Sequence, residues 1–195
     1  MKKTTHSLSL AFLAVAILSQ LIVFASIINK REAILRKGTV LRFNIEPVDP
    51  FDAFRGQYVS LWFPDAQHCP STIQTNRFEK GQRIYVRFED GTNGLSRPVE
   101  VSRLKPDWDS GIWLKTRARW NRGIDVTFVF PIDRFYADEK TAPKIEGLVS
   151  FRTRDVVSNA CAVVRAYQGT FLLEDLEFDG MPVHDYISKV SEAEQ

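Results

Sequence analysis

Two aspartates stand close together in the segment EPVDPFDAFRGQYVSLWF, which runs from Glu46 to Phe63. Asp49 and Asp52 are separated by two residues, and a pair of carboxylates is the set of groups that glycoside hydrolases use as acid and base. The same side chains suit a simpler role, because Asp49-Pro50 is a pair of residue types that commonly begins a helix. Asp52 then lies in the first turn, where negative charge is favourable. The sequence favours this capping role, and a hydrolase that uses both aspartates is the alternative.

The rest of the segment indicates one or two helical turns that end where a strand begins. Gly56 follows the residues FDAFR, at the place where a left-handed residue ends a helix. Arg55 could bind an anionic group, although an ion pair with a neighbouring aspartate is the simpler expectation. From Gln57 onward the residues alternate as in a strand. The two faces of this predicted strand are Val59, Leu61 and Phe63 on one side and Tyr58, Ser60 and Trp62 on the other.

Other forms of catalysis find little support in the residue pattern. Ser60 lies inside the predicted strand, without the lysine or histidine at that place which would activate a nucleophile. His68 and Cys69 are adjacent, whereas zinc ligands usually come in pairs that other residues separate. We therefore expect no catalytic residue, no metal site and no cofactor.

Charge excludes one class of partner. The net charge is +2, and Lys2 and Lys3 at the start of the chain provide that excess, so the remainder is neutral. Binding to a phosphate backbone depends on concentrated positive charge. We expect no nucleic-acid partner.

An apolar run without charge extends from Leu8 to Ile28. As a helix it covers about 31 Å, which matches the hydrocarbon layer of a bilayer. We predict a short basic start at 1–7, a transmembrane helix at 8–28, and a juxtamembrane linker or helical extension at 29–38. A signal peptide cut near Val23–Ala25 is the alternative. The basic start favours the N-terminus in the cytoplasm and the following domain outside, although the basic residues after the span oppose this orientation.

After the span, apolar residues recur with a period of two, which predicts a β domain at 39–186 and a tail at 187–195. The clearest hairpin pairs the strand at 112–120 with residues 124–130 across the turn NRG. A second hairpin pairs Ala160–Tyr167 with Phe171–Phe178 across QGT. The prediction is a mainly β, antiparallel sandwich or barrel-like domain with short helical turns, and without a helix of ten or more residues beyond the anchor.

The two cysteines leave two alternatives open. Cys69 and Cys161 are far apart in sequence and could form one disulfide in an oxidising compartment. Two buried thiols fit the sequence equally well.

The segment PVDPFDAFRGQYVSLWF resembles the signature of the GDYXXLXY proteins, a family of single-span, membrane-anchored bacterial proteins. That signature is Pro-Val-Asp-Pro-x-Asp followed by Arg-Gly-Asp-Tyr-x-x-Leu-x-Tyr. The chain departs from it at Gln57, where the family has Asp, and at Phe63, where it has Tyr. The later segments PIDRFYADE and GTFLLEDLEFDGMPV resemble the family too. The residues that match the signature are Pro47, Val48, Asp49, Pro50, Asp52, Arg55, Gly56, Tyr58 and Leu61.

The resemblance implies a location and an architecture, while the activity of the family is not established. Gln57 keeps a hydrogen-bonding carbonyl but lacks the carboxylate, which favours a structural or binding motif over a catalytic one. We expect a single-pass protein of the bacterial inner membrane, with its N-terminus inside and its C-terminal domain in the periplasm or outside. Its expected role is non-catalytic binding or assembly with another membrane or envelope protein through the corner at Asp49–Tyr58. An envelope hydrolase that uses Asp49 and Asp52 is the alternative.

Overall fold

The structure is a computed structural model of the chain and describes residues 2–47, 58–70, 78–122, 125–138, 141–149 and 159–193. Within these residues the helices are α1 (Lys2–Lys37), α2 (Ala142–Val149), α3 (Val183–Ala193) and a 3-10 turn at Trp108–Ser110. The strands, in chain order, are β1 (Thr39–Asn44), β2 (Glu46–Pro47), β3 (Tyr58–Trp62), β4 (His68–Pro70), β5 (Arg83–Asp90), β6 (Ser96–Ser102), β7 (Ile112–Arg122), β8 (Asp125–Phe128), β9 (Arg134–Tyr136), β10 (Ala160–Tyr167), β11 (Thr170–Phe178) and β12 (Met181–Pro182).

The described strands form three antiparallel sheets and no closed barrel. Their strand orders are β1-β10-β11-β12, β2-β3-β9 and β4-β8-β7-β5-β6. The fold is therefore mainly β and antiparallel, as the alternating apolar pattern predicts. We call the part of the chain from Thr39 onward the head.

Both predicted hairpins are present. Strands β7 and β8 pair with a bulge, so that Ala118 lies opposite Phe128 and Trp120 lies opposite Thr127. Trp120 stands two residues after the buried Ala118, so simple alternation would bury it as well. The extra residue of the bulge breaks the alternation and leaves Trp120 48% exposed. Strands β10 and β11 are joined by Gln168 and Gly169, whose φ angles of 44° and 78° are those of a tight hairpin turn.

The core combines aromatic side chains from the four-stranded and five-stranded sheets with those that directly follow β3 and β8. Phe43 of β1 lies at its centre, with its ring centroid 5.5 Å from Phe88, 5.2 Å from Phe130 and 6.3 Å from Phe171. Phe63, which follows the motif strand β3, is fully buried and its ring lies 4.8 Å from Phe130. Packing of these rings fixes the motif strand against the larger sheets.

The expectation that no helix of ten or more residues follows the anchor is wrong. Helix α3 has 11 residues and continues across residue 186, where the sequence suggested that the β domain ends and a tail begins. Val183 and Tyr186 are buried, and Ile187 and Val190 pack against the core. These spacings of three and four residues form one apolar face of a helix. They do not follow the period of two that indicates a strand, and polar residues lie between them.

Helix α1 joins the head without an intervening linker. It runs through the predicted span and on to Lys37, so residues 29–37 are the helical extension rather than an irregular linker. Among the side chains of α1 that the structure describes, Ile34 is the one that is buried, with an exposed fraction of 4%. The Gly38 amide donates a hydrogen bond to the Ile34 carbonyl (2.8 Å), and Arg165 of β10 donates one to the Gly38 carbonyl (3.4 Å). The last turns of α1 are therefore packed onto the sheet.

Within the described part of the chain, α1 is the helix that is long and apolar enough to cross a bilayer. Its most apolar window has a mean hydropathy of 2.2, and none of that window is buried in the protein. An exposed apolar surface on every side of a helix is typical of a membrane span. This helix is therefore a candidate membrane anchor.

Candidate functional site

The structure describes one part of the sequence motif. Pro47 ends β2, opposite Leu61 in the register of β2 and β3. The motif residues that fall outside the described residues are Val48, Asp49, Pro50, Asp52, Arg55, Gly56 and Gln57. The capping role of Asp49 and the hydrolase alternative with Asp52 therefore both stay predictions.

Strand β3 has an inner and an outer face, as its alternation predicts. Val59 and Leu61 of β3 are buried, with exposed fractions of 3% and 5%, and Phe63 directly after the strand is 0% exposed. Leu61 and Phe63 therefore contribute packing, and the Leu61 amide also donates a hydrogen bond to the Asp133 carbonyl (2.9 Å). The outer face, which is partly or largely exposed, consists of Tyr58, Ser60 and Trp62.

Strand β9 extends this outer face. Tyr58 lies opposite Tyr136 and Ser60 lies opposite Arg134. The Tyr58 and Tyr136 ring centroids are 6.2 Å apart, and the Arg134 guanidinium carbon lies 4.9 Å from the Tyr58 ring centroid. We name this outer face the motif surface; it comprises Tyr58, Ser60, Trp62, Arg134 and Tyr136.

Arg134 is held in place while it remains exposed. It forms a hydrogen bond with the Tyr136 side chain, and its Nε lies 3.7 Å from the Asp133 carboxylate. The hydrogen bond, and then the negative charge of Asp133, raise the pKa of Arg134 above its ordinary value. The motif surface therefore presents a positive charge over the Tyr58 ring and next to Tyr136, which is 72% exposed.

A cavity of about 420 Å³ lies where α1 meets β9 and β11. Arg31 of α1 forms part of its wall, together with Arg134 and Tyr136 of the motif surface. We name it the helix-side cavity. The remaining lining residues are Pro131, Ile132, Asp133, Phe135, Phe171, Leu172, Leu173 and Glu174.

One of the two lining carboxylates of this cavity is already engaged. Both oxygens of Glu174 accept hydrogen bonds from Arg165, at 2.6 and 3.0 Å. The Asp133 side chain is 74% exposed, and within the described residues its carboxylate has no ion-pair contact other than the 3.7 Å contact with Arg134. The chemically available groups are therefore two guanidiniums, one carboxylate and the exposed Tyr136.

The cysteines are separate thiols rather than a disulfide. Cys69 lies on β4 opposite Val126, and Cys161 lies on β10, in a different sheet, opposite Asn44 and Glu177. Burial raises the pKa of Cys69 to about 12 and that of Cys161 to about 11. Both thiols are therefore neutral near pH 7, and the disulfide considered from sequence is not formed in this structure.

The histidine next to Cys69 has a structural contact. Nδ1 of His68 lies 3.2 Å from the hydroxyl of Thr127, which is 4% exposed. Among the described residues, no group of three or more His, Cys, Asp or Glu side chains is arranged to hold a metal ion.

Sequence reasoning singled out the motif strand but missed its charged neighbours. Arg134 and Tyr136 belong to PIDRFYADE, which carried a family resemblance without an assigned role. Arg31 was visible as one of several basic residues after the span. Its proximity to Arg134 depends on how α1 packs on the head, and no local pattern encodes that.

Comparison with known proteins gives one match. A family model described as GDYXXLXY protein matches residues 20–176. The matched range begins inside α1 and ends inside β11, so it includes the motif strand and both arginines of the helix-side cavity. No curated protein and no solved structure matches the chain.

Proposed function

The chain belongs to the GDYXXLXY family, and on that basis we propose that it is a single-pass membrane protein that binds or assembles with another membrane protein and performs no catalysis itself. In this proposal α1 is the anchor and the head carries the motif surface. We further propose that the anchor lies in the inner membrane of a bacterium, with the N-terminus inside and the head in the periplasm.

The observation that carries this proposal is a polar side chain in the middle of the apolar run. Gln20 lies eight residues before Ile28, or about 12 Å along a helix, close to the middle of a hydrocarbon layer of about 30 Å. Its side chain is exposed, and no described residue forms a hydrogen bond with it. The neighbouring Ser19, by contrast, donates a hydrogen bond to the Ala16 carbonyl (2.8 Å).

An amide without a partner is costly in hydrocarbon, by about 1–3 kcal/mol on the scale from protein mutations. Glutamine side chains in membranes commonly form hydrogen bonds across helix–helix contacts. A second helix packed against Gln20 would satisfy the amide, which supports a partner inside the membrane.

The packing of α1 onto the head gives this association a consequence outside the bilayer. Because Ile34 is buried and Gly38 connects α1 directly to β1, a partner that orients α1 also orients the motif surface. Tyrosine, tryptophan and arginine are the residue types enriched at protein interfaces. Trp62 and Tyr136 are 40% and 72% exposed, and they supply a second contact area for the partner.

The test replaces Gln20 by leucine in the full-length protein and measures recovery of a co-purified membrane protein from mild detergent. An interhelical hydrogen bond contributes about 1 kcal/mol, so Gln20→Leu is expected to lower the association constant about fivefold. Ser19→Ala is the matched control, because the Ser19 hydroxyl is satisfied within α1, and it should retain the partner.

Three results would contradict the proposal. The wild type could purify without any stoichiometric membrane protein, or both variants could retain the partner equally. Recovery of further copies of this chain alone would show self-association instead of assembly with a different protein.

A further inference from the structure

We propose that the helix-side cavity binds a phospholipid headgroup that carries both a phosphate and an ammonium group, as phosphatidylethanolamine does. The phosphate contacts Arg31 and Arg134, and the ammonium group contacts Asp133. This inference rests on the membrane anchoring that is part of the proposed function, and it does not depend on the protein partner.

The depth of the cavity follows from its place on α1. Arg31 lies three residues after Ile28, the end of the apolar run, and thus about 4.5 Å further along the helix axis. The headgroup layer is about 5–7 Å thick on each side of the hydrocarbon. A cavity with Arg31 in its wall therefore lies at the level of the headgroups, where an exposed tyrosine such as Tyr136 is also favoured.

The phosphate site consists of two guanidiniums from different elements. No described residue forms an ion pair or a hydrogen bond with the Arg31 side chain. Arg134 is positioned by the Tyr58 ring and by Tyr136, and its carboxylate contact at 3.7 Å is too long for a hydrogen bond. Guanidinium groups bind phosphate oxygens through paired N–H donors, so both arginines can engage one phosphate.

The carboxylates decide which headgroup fits. Glu174 is neutralised by Arg165, so Asp133 is the lining acid that remains open to a ligand within the described wall. A headgroup with a phosphate alone would place its negative charge near Asp133. An ammonium group converts that repulsion into an ion pair, and it can donate hydrogen bonds that a trimethylated choline cannot.

The apolar part of the wall fits the remainder of the lipid. Pro131, Ile132 and Phe135 belong to β9 and the segment before it, and Leu172 belongs to β11. The cavity volume of about 420 Å³ lies within the range of about 300–1,000 Å³ that is common for small-molecule sites. Apolar groups next to the charged ones can contact the glycerol and the first carbons of the acyl chains.

The experiment measures lipid retained by the purified full-length protein with native mass spectrometry. The protein is exchanged into detergent with phosphatidylethanolamine, phosphatidylcholine or phosphatidylglycerol, and inorganic phosphate is the competitor. Wild type is expected to retain phosphatidylethanolamine most strongly. Arg31→Gln and Arg134→Gln should each reduce retention about tenfold, as expected for loss of a charged hydrogen bond.

Two further variants sharpen the test. Arg36→Gln is the control on the same helix, because Arg36 already pairs with Glu32 and is 77% exposed at its side chain; it should change retention less than twofold. Asp133→Asn should lower retention of phosphatidylethanolamine and not that of phosphatidylglycerol. Tryptophan fluorescence of the head is measured for each variant to check that the variant is folded.

Four outcomes would overturn the inference. Arg36→Gln could lower retention as much as Arg31→Gln does, which indicates unspecific attraction. Wild type could retain all three lipids equally, or inorganic phosphate could displace the lipid at equal concentration. Finally, Arg31→Gln could release the protein partner and leave the lipid bound; the cavity would then be a protein contact, and the proposed function would stand without this inference.

Discussion

Replacing Ile34 by alanine tests whether α1 is packed onto the head. Ile34 is 4% exposed, and the change removes three carbon atoms from its side chain. At about 0.8 kcal/mol for each buried carbon, the loss of transfer free energy is about 2.4 kcal/mol. Incomplete collapse around the site would raise this value, since buried isoleucine-to-alanine changes cost about 2–5 kcal/mol.

The matched control is Ile28→Ala on the same helix. Ile28 is 65% exposed, so its replacement removes the same atoms without removing a contact with the head. Both changes give α1 the same small gain in helix propensity, which therefore cancels in the comparison. We expect the control to change the free energy of unfolding by less than about 0.5 kcal/mol.

The assay is urea unfolding of the head in mild detergent, followed by tryptophan fluorescence. All four tryptophans lie after Thr39, so the signal reports the head and not the anchor. With a urea dependence of about 2 kcal/mol per molar, Ile34→Ala should lower the midpoint by about 1 M. Equal midpoints for the two variants would show that α1 does not pack on the head, and the reasoning about a fixed motif surface would fail.

Three other predictions concern the Gly169 turn and the two cysteines. Gly169→Ala should destabilise the head by about 2 kcal/mol or more in urea unfolding, because Gly169 has a φ of 78° and an added Cβ would overlap the Trp108 ring. The control is Gly180→Ala, which should cost about 1 kcal/mol because Gly180 has a φ of 79° and open space around it. Equal losses of stability in the two variants would refute the overlap with Trp108. Burial raises the pKa of the Cys69 thiol from 9.0 to about 12, so the stability that the thiol contributes is complete below pH 9 and is lost as the pH rises toward 12. The free energy of unfolding of a Cys69→Ala variant should therefore fall less than that of wild type over this pH range. Parallel curves of unfolding free energy against pH for the two proteins would contradict this. Cys161→Ser should leave the non-reducing electrophoretic mobility of the protein unchanged, since the two thiols lie in different sheets, and a shift would reveal a disulfide.

The predictions that succeeded depend on local patterns. The two hairpins follow from alternation interrupted by turn residues, and the buried face of β3 follows because side chains in a strand point alternately to opposite sides. Val59, Leu61 and Phe63 are buried for that reason. The family motif, in turn, indicates the region of the chain in which we expect the functional surface.

The predictions that failed, or were absent, depend on tertiary packing. Helix α3 is stabilised by the packing of Val183 and Tyr186 on the core. The segment itself has too few apolar residues to indicate a helix from its sequence alone. The helix-side cavity joins Arg31 to Arg134, which are far apart in sequence and meet because Ile34 anchors α1 on the head. The separation of Cys69 and Cys161 likewise follows from which sheet each strand joins, and spacing alone does not determine it.

The most direct test of the proposed anchor is the form in which the protein resides in its native membrane. Membranes are washed with alkaline carbonate, and the N-terminal sequence and intact mass of the retained protein are determined. We predict that the protein stays in the membrane fraction with the whole of α1 attached. A protein that begins near Ser26 and appears in the wash would contradict the anchor, and with it both proposals.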